Sequence, residues 1–178
     1  QATLYFMIET SRLLLRVARL SDAPDLFELN RDAEVIRFTG DTSQANVYET
    51  EALIRNKMIP DFERYKTGRF LIFRKTDGLF LGWCGLKYFP DTKETDLGYR
   101  IAKCFWGHGY ATESGKAALT YGFHHLGLER IIAKVMPENR ASIKVLHKLG
   151  MTFKGFWHDP TDPAPCLHYE LKKSDFIS

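Results

Sequence analysis

The sequence predicts an α/β (α+β) domain, a mixed and mostly antiparallel sheet with helices on both faces. Three observations predict it. Apolar runs of strand length alternate with stretches of helical apolar spacing along the whole chain. A Thr-Asp-Gly turn at Thr76 to Gly78 joins two apolar runs, a hairpin signature. After that hairpin, strand and helix patterns alternate singly.

Taken in order, Arg12 to Val17 is a short apolar strand. Ser21 or Asp22 caps the helix that follows, with Pro24 in its first turn and Ala23, Leu26 and Phe27 at helical spacing, continued by Val35 and Ile36. Phe38 to Asn46, polar and glycine-containing, is a loop. Tyr48 to Lys66 reads as a helix with Leu53, Ile54, Met58, Ile59 and Phe62 on one face and a break or kink at Pro60. Arg69 to Arg74 and Leu79 to Phe89 form the hairpin, and Thr95 to Ile101 is a fourth strand. Tyr110 to His125 is a helix burying Ala111, Ala118, Leu119, Gly122 and Leu126. Arg130 to Met136 is a fifth strand, and Ala141 to Leu149 a helix capped by Asn139 and stopped by Gly150. Met151 to His158 and Leu167 to Lys172 close the sheet.

The 178 residues suit one domain, and 44% hydrophobic with 26% charged residues describes a folded, soluble chain. No apolar run approaches the ~18 residues that span a bilayer, so no membrane partner is expected. A net charge of +3 is too small to argue for nucleic acid but suits an anionic ligand. Cys84, Cys104 and Cys166 form no CxxC pair, which argues against a disulfide framework or a zinc site and for the reducing cytoplasm. Residues 1–6 lack the pattern of a secretory signal and read as a cloning remnant before a natural start at Met7. Residues 7–178 are then a single domain. A monomer and a homodimer both fit.

Function centres on Gly98 to Glu113, which reads as a strand, a turn containing Gly107 and Gly109, and the first turn of a helix. A helix start leaves N–H groups without partners at the positive end of the macrodipole, and glycines before it let those groups converge on a phosphate or pyrophosphate. Three near-matches fail. Gly107-His-Gly109-Tyr-Ala-Thr112 has Thr where a dinucleotide fingerprint needs a third Gly or Ala. Ser114-Gly115-Lys116-Ala117 lacks the earlier glycine and the magnesium-binding hydroxyl of a P-loop. His124-His125-Leu-Gly-Leu-Glu129 resembles an HHxxxD motif, but lies at a helix end with Glu in place of Asp.

What survives is a set of three motifs: Lys103-Cys-Phe-Trp-Gly107-His-Gly109-Tyr-Ala-Thr-Glu113, Pro137-Glu-Asn139-Arg-Ala-Ser142 and His147-Lys-Leu-Gly150-Met-Thr-Phe153. In this order they resemble the GNAT superfamily of acetyl-CoA-dependent N-acetyltransferases. The opening Ile8-Glu-Thr-Ser-Arg12-Leu-Leu-Leu-Arg16 is similar to starts in its Rim-type branch of ribosomal-protein N-terminal acetyltransferases. The family signature is Gln or Arg, two residues, Gly, one residue, then Gly or Ala; Cys104, Gly107 and Gly109 fill those positions, with Cys104 departing from Gln or Arg.

The resemblance implies a splayed central strand pair, with the pantetheine arm of acetyl-CoA in the gap against main-chain groups of Tyr99, Arg100 and Ile101. It implies that the N–H groups of Gly107, Gly109, Tyr110, Ala111 and Thr112 hold the pyrophosphate, with Lys103 or His108 adding charge. Gly98 in mid-strand independently suggests a bulge or a close backbone approach. Asn139 would touch the CoA arm, and Ser142 would lie near the thioester sulfur as the acid, with Tyr169 its rival. Asp96, on the strand face of Gly98, is the candidate base, ahead of Glu94 and Glu170. The acceptor pocket would be lined by Thr39 to Val47, the first helices and Asp159 to Pro165. The expected reaction is direct acetyl transfer in a ternary complex to a primary amine, a peptide N-terminus or a small molecule, with no metal. The alternative is a catalytically silent acyl-CoA-binding module.

Overall fold

The computed structural model describes residues 6–159 and 162–177. One eight-stranded sheet carries the fold, in the order β1 (Met7–Glu9), β2 (Leu13–Arg16), β3 (Arg69–Arg74), β4 (Phe80–Phe89), β5 (Glu94–Ile101), β6 (Arg130–Val135), β8 (Asp162–Lys172), β7 (Thr152–Asp159). All neighbours are antiparallel except β5 and β6. The helices are α1 (Ala23–Arg31), α2 (Ala33–Ile36), α3 (Val47–Leu53), α4 (Ile59–Tyr65), α5 (Tyr110–Thr120) and α6 (Arg140–Lys148). The expected mixed sheet is therefore present.

Strand alternation distributes the two cores. Along β3, Phe70 and Ile72 enter a cluster that packs with Leu119 and Phe123 of the α5 segment and Leu146 of α6. Leu71 between them faces the other way, into a cluster with Ala23, Leu26 and Leu29 of α1 and with Ile54. Period-two alternation makes these opposite faces of the sheet, so helices cover both.

Four local features differ from expectation. A three-residue strand, β1, precedes the expected first one and pairs Ile8 with Leu15. Phe6 packs its ring against Phe62, Phe70 and Tyr121, while residues 1–5 of the expected remnant lie outside the described residues. Pro60 does not break its helix. A wide π turn at Ile54–Met58 runs directly into α4, whose first turn holds Pro60, so its missing N–H falls where the ladder is already reset. The segment Asp159 to Pro165, expected as a loop, is mostly strand: β7 runs to Asp159 and β8 starts at Asp162, with 160–161 outside the described residues.

The β5–β6 junction positions the site. β5 pairs with β4 at every residue from Glu94 to Ile101, but with β6 only at Asp96↔Ile132. Beyond Asp96 the two parallel strands diverge, and β5 main-chain groups facing β6 lose their ladder partners.

Candidate functional site

The turn from β5 into α5 is built by two left-handed glycines, Gly107 with φ +81° and Gly109 with φ +79°. A Cβ there would meet no protein atom within 4 Å at Gly107 and only the Arg12 guanidinium, at 3.5 Å, at Gly109, so conformation rather than crowding selects glycine. The Trp106 indole N–H donates to the Ile101 carbonyl at 2.8 Å, fastening the turn to the end of β5. Gly109 is the N-cap of α5 and has no side chain to cap it. The first helical bond runs from the Glu113 N–H to the Gly109 carbonyl. Among the described residues, none of the N–H groups from Gly107 to Thr112 donates to a protein oxygen. Such a cluster of orphan donors at a helix start is an anion receptor.

Basic side chains lie near it, two of them paired with carboxylates. Arg12 lies over the Tyr110 ring at 4.6 Å and pairs with Glu113 at 2.7 Å. His108 stacks on Tyr110 at 5.7 Å, and Lys103 is 3.6 Å from Glu34. Burial alone would raise the Glu113 carboxyl, but donors from Thr10 and Arg12 outweigh it and hold the group below its ordinary range. Arg12 was missed as a site residue because it is remote in sequence; only the pairing of the β1–β2 turn with α5 brings it in.

The splay opens a cavity of about 750 Å³ that passes between β5 and β6 and under α1, α3 and α4. Tyr99 and Arg100 line it, as do Asn139 and Ser142, whereas Ile101 is buried in the core. The Asn139 side chain caps α6 by accepting from the Ser142 N–H at 3.2 Å. The Ser142 and Tyr99 hydroxyls share a hydrogen bond of 2.6 Å across the cleft. Burial pushes the Tyr99 phenol up to about 12, so it stays protonated. Tyr99 was expected to act through its main chain alone. Tyr169 does not line the cavity: its ring is buried and its hydroxyl lies 3.3 Å from His147, toward the other end of α6.

Asp96 lines the cavity beneath the point of divergence. Burial raises its carboxyl above the ordinary value, although Arg69, Lys134 and Lys87 all oppose the shift. Arg69 is the nearest, at 3.7 Å. Gly98 sits at no bulge; its value is room for this arginine. Arg69, Gly85 and Gly98 share one row across β3, β4 and β5. A Cβ on Gly98 would come within 2.8 Å of the Arg69 guanidinium, which donates to the Gly85 carbonyl at 2.8 Å. The other two carboxylates are engaged elsewhere, since Glu94 and Glu170 both pair with Arg130, at 3.0 and 2.7 Å. On the opposite wall Arg100 donates to Asn30 at 2.7 Å and to Asp41 at 2.5 Å, tying α1 and the loop after α2 to β5. That loop and the first helices line the cavity, whereas none of the described residues of Asp159 to Pro165 is among its lining. No cluster able to hold a metal occurs among the described residues, and no helix of theirs is long and apolar enough to cross a membrane.

Comparison with known proteins agrees with this architecture. The profile of the "Acetyltransferase (GNAT) domain" matches residues 12–152. The chain is 35% identical over 152 residues to the N-acetyltransferase p20 of Bacillus licheniformis, covering 84% of each chain. A GNAT-family acetyltransferase structure from Bacillus anthracis superposes with a TM-score of 0.81 at 24% identity, covering 95% of this chain and 99% of the other. RimL, a ribosomal L7/L12 alpha-N-protein acetyltransferase solved in complex with coenzyme A, superposes with a TM-score of 0.81 at 22% identity, covering 94% and 98%. With most of its length matched by the family profile and by a relative above 30% identity, the chain belongs to the GNAT family of N-acetyltransferases.

Proposed function

We propose that this protein moves the acetyl group of acetyl-CoA directly to a primary amine, a peptide N-terminus or a small molecule, within a ternary complex. The observation that carries the proposal is the orphan-donor turn at 107–112 at the end of a strand whose β6-facing side is unpaired beyond Asp96. A diphosphate satisfies the first; an amide-bearing arm satisfies the second. The N–H groups of Gly107, Gly109, Tyr110, Ala111 and Thr112 then hold the pyrophosphate, with Lys103, His108 and Arg12 adding charge. Main-chain groups from Tyr99 to Ile101, together with Asn139, receive the pantetheine arm.

The chemistry follows from the groups that remain. Only a neutral amine attacks, and a chain N-terminus titrates near ~8 against ~10.4 for a lysine-like amine. Asp96, made more basic by burial, takes the proton directly or through water. The amine forms a C–N bond to the thioester carbon, and a β5 N–H stabilises the oxyanion. Collapse breaks the C–S bond and the thiolate leaves toward Ser142. A thiol near ~8.5 lies ~3.5 units below the Tyr99 phenol, so full proton transfer from that phenol would be uphill by about 5 kcal/mol. Ser142, backed by Tyr99, therefore acts as a hydrogen-bond donor to the departing sulfur, and the solvent supplies the proton. Three cysteines without a CxxC pair and a reaction that consumes acetyl-CoA support a cytoplasmic setting. A thiol-release assay with peptides and small amines tests the proposal. Turnover on any of them supports it; protection of the fold by acetyl-CoA against heating, with no turnover, would identify a silent binder instead.

A further inference from the structure

Five cationic side chains, Lys57, Arg69, Lys87, Arg100 and Lys134, line the cavity against three carboxylates, Asp41, Asp61 and Asp96, and Arg100 already pairs with Asp41. Asp96 feels Arg69, Lys87 and Lys134 together. Lys87 is its cross-strand partner, and Lys134 lies two residues beyond its β6 partner Ile132. All four line the cavity. Only Arg69 approaches Asp96 within ion-pair distance; among the described residues neither lysine has a carboxylate within 4 Å. The ammonium of Lys134 instead lies 3.5 Å from the centre of the Trp157 ring, and that of Lys87 lies 4.9 Å from Phe89. Burial first, then the charges of Lys57 and Arg69, lower the Lys87 ammonium and outweigh the opposing pull of Asp96 and Asp61.

The donor does not fill this deficit. From Asp96 to the end of β5 at Ile101 is about 16 Å of strand, well beyond ion-pair reach, so a diphosphate at Gly107 to Thr112 makes no ion pair with these lysines. Building on the acetyl-transfer reading, we infer that the acceptor is a primary amine carrying a carboxylate close to that amine, and that Lys87 and Lys134 receive the carboxylate. The same field disfavours the ammonium form of the bound amine and so releases the nucleophile. Polyamines and aminoglycoside-like polycations are disfavoured by the excess of cations.

The carboxylate has two sources, the backbone of a free amino acid or an acidic side chain next to a peptide N-terminus. Initial rates with glycine, β-alanine and γ-aminobutyrate, each against its carboxamide, address the first. Seryl-aspartyl against seryl-asparaginyl peptides address the second. In one arm or the other, the carboxylate member has a KM lower by about tenfold or more, the loss expected when a charge-assisted bond is removed. Lys87→Met and Lys134→Met erase that difference, and Lys87→Arg restores most of it. Equal KM values in both arms, or preference for spermidine, would overturn the inference. If no amine turns over, the acetyl-transfer reading has failed separately. Calorimetric titration with the N-acetylated products and their carboxamides still decides the charge preference: tighter binding of the carboxylates supports it, and equal binding refutes it.

Discussion

The Tyr99–Ser142 pair permits the most discriminating perturbation. Its hydroxyls are 2.6 Å apart, one on β5 and one in the first turn of α6, so the pair spans the cleft. If Ser142 faces the departing sulfur, Ser142→Ala removes a donor to a developing thiolate. Hydrogen bonds to charged groups contribute about 1.5–3 kcal/mol, so kcat should fall about 10- to 150-fold with a smaller change in acetyl-CoA affinity. The same change strands the largely buried Tyr99 hydroxyl, which costs the fold about 1–3 kcal/mol. Tyr99→Phe leaves Ser142 in place but removes the group that orients it, and should lower kcat less. A double-mutant cycle on kcat and on denaturant midpoint separates the roles. Coupling near 1 kcal/mol in stability is expected from the contact alone. Coupling in kcat beyond that shows that the two hydroxyls act as a unit. An undiminished kcat in Ser142→Ala would refute the assignment, and the pair would then be only a clasp between β5 and α6.

Three further outcomes follow from the same geometry. Asp96→Asn should cut kcat/KM by about 10²-fold or more and remove the acid limb of its pH profile. Because the folded-state value of Asp96 is raised, its carboxyl stabilises the fold at low pH and loses that contribution as pH rises through the raised value; above that window Asn should therefore raise the melting temperature while it lowers activity. Gly98→Ala should push the Arg69 guanidinium off the Gly85 carbonyl and away from Asp96, moving the acid limb of kcat/KM to higher pH; an unmoved limb would show that Arg69 does not set Asp96. Gly109→Val forces a branched residue into the left-handed region, at a cost of about 1–2 kcal/mol to the fold. Its larger effect should be on acetyl-CoA, whose dissociation constant rises about 100-fold or more if two amide contacts to the pyrophosphate are lost, as titration calorimetry would read.

Local signals explain which features were legible in the sequence. The Asp77-Gly78 turn, the Asn139 cap and Gly107 with Gly109 each act within a few residues, and each appears where it was expected. Of the bulge or close backbone approach expected at Gly98, the bulge is absent, and the neighbour against it is the Arg69 side chain. Arg69 could not be found by carrying the hairpin register outward from Phe73↔Phe80, because a bulge between Ile72 and Phe73 shifts the pairing by one and brings Arg69 opposite Gly85 rather than Cys84. The Tyr99 hydroxyl, Arg12 and the lysines around Asp96 depend on tertiary pairing that no local spacing encodes. The β1 strand was hidden because three residues are too few to display a period. Of the break or kink expected at Pro60, the break is absent because a proline can sit in the first turn of a helical segment as well as end one.

Donor recognition rests on the main-chain amides between the two glycines and the start of α5. An amide-resolved NMR titration with coenzyme A, and in parallel with pantetheine, which lacks the diphosphate, probes them directly. The N–H resonances from Gly107 to Thr112 should move downfield with coenzyme A and remain in place with pantetheine, while those of Tyr99 to Ile101 respond to both. Resonances at 107–112 that ignore coenzyme A, with binding confirmed elsewhere in the protein, would contradict it.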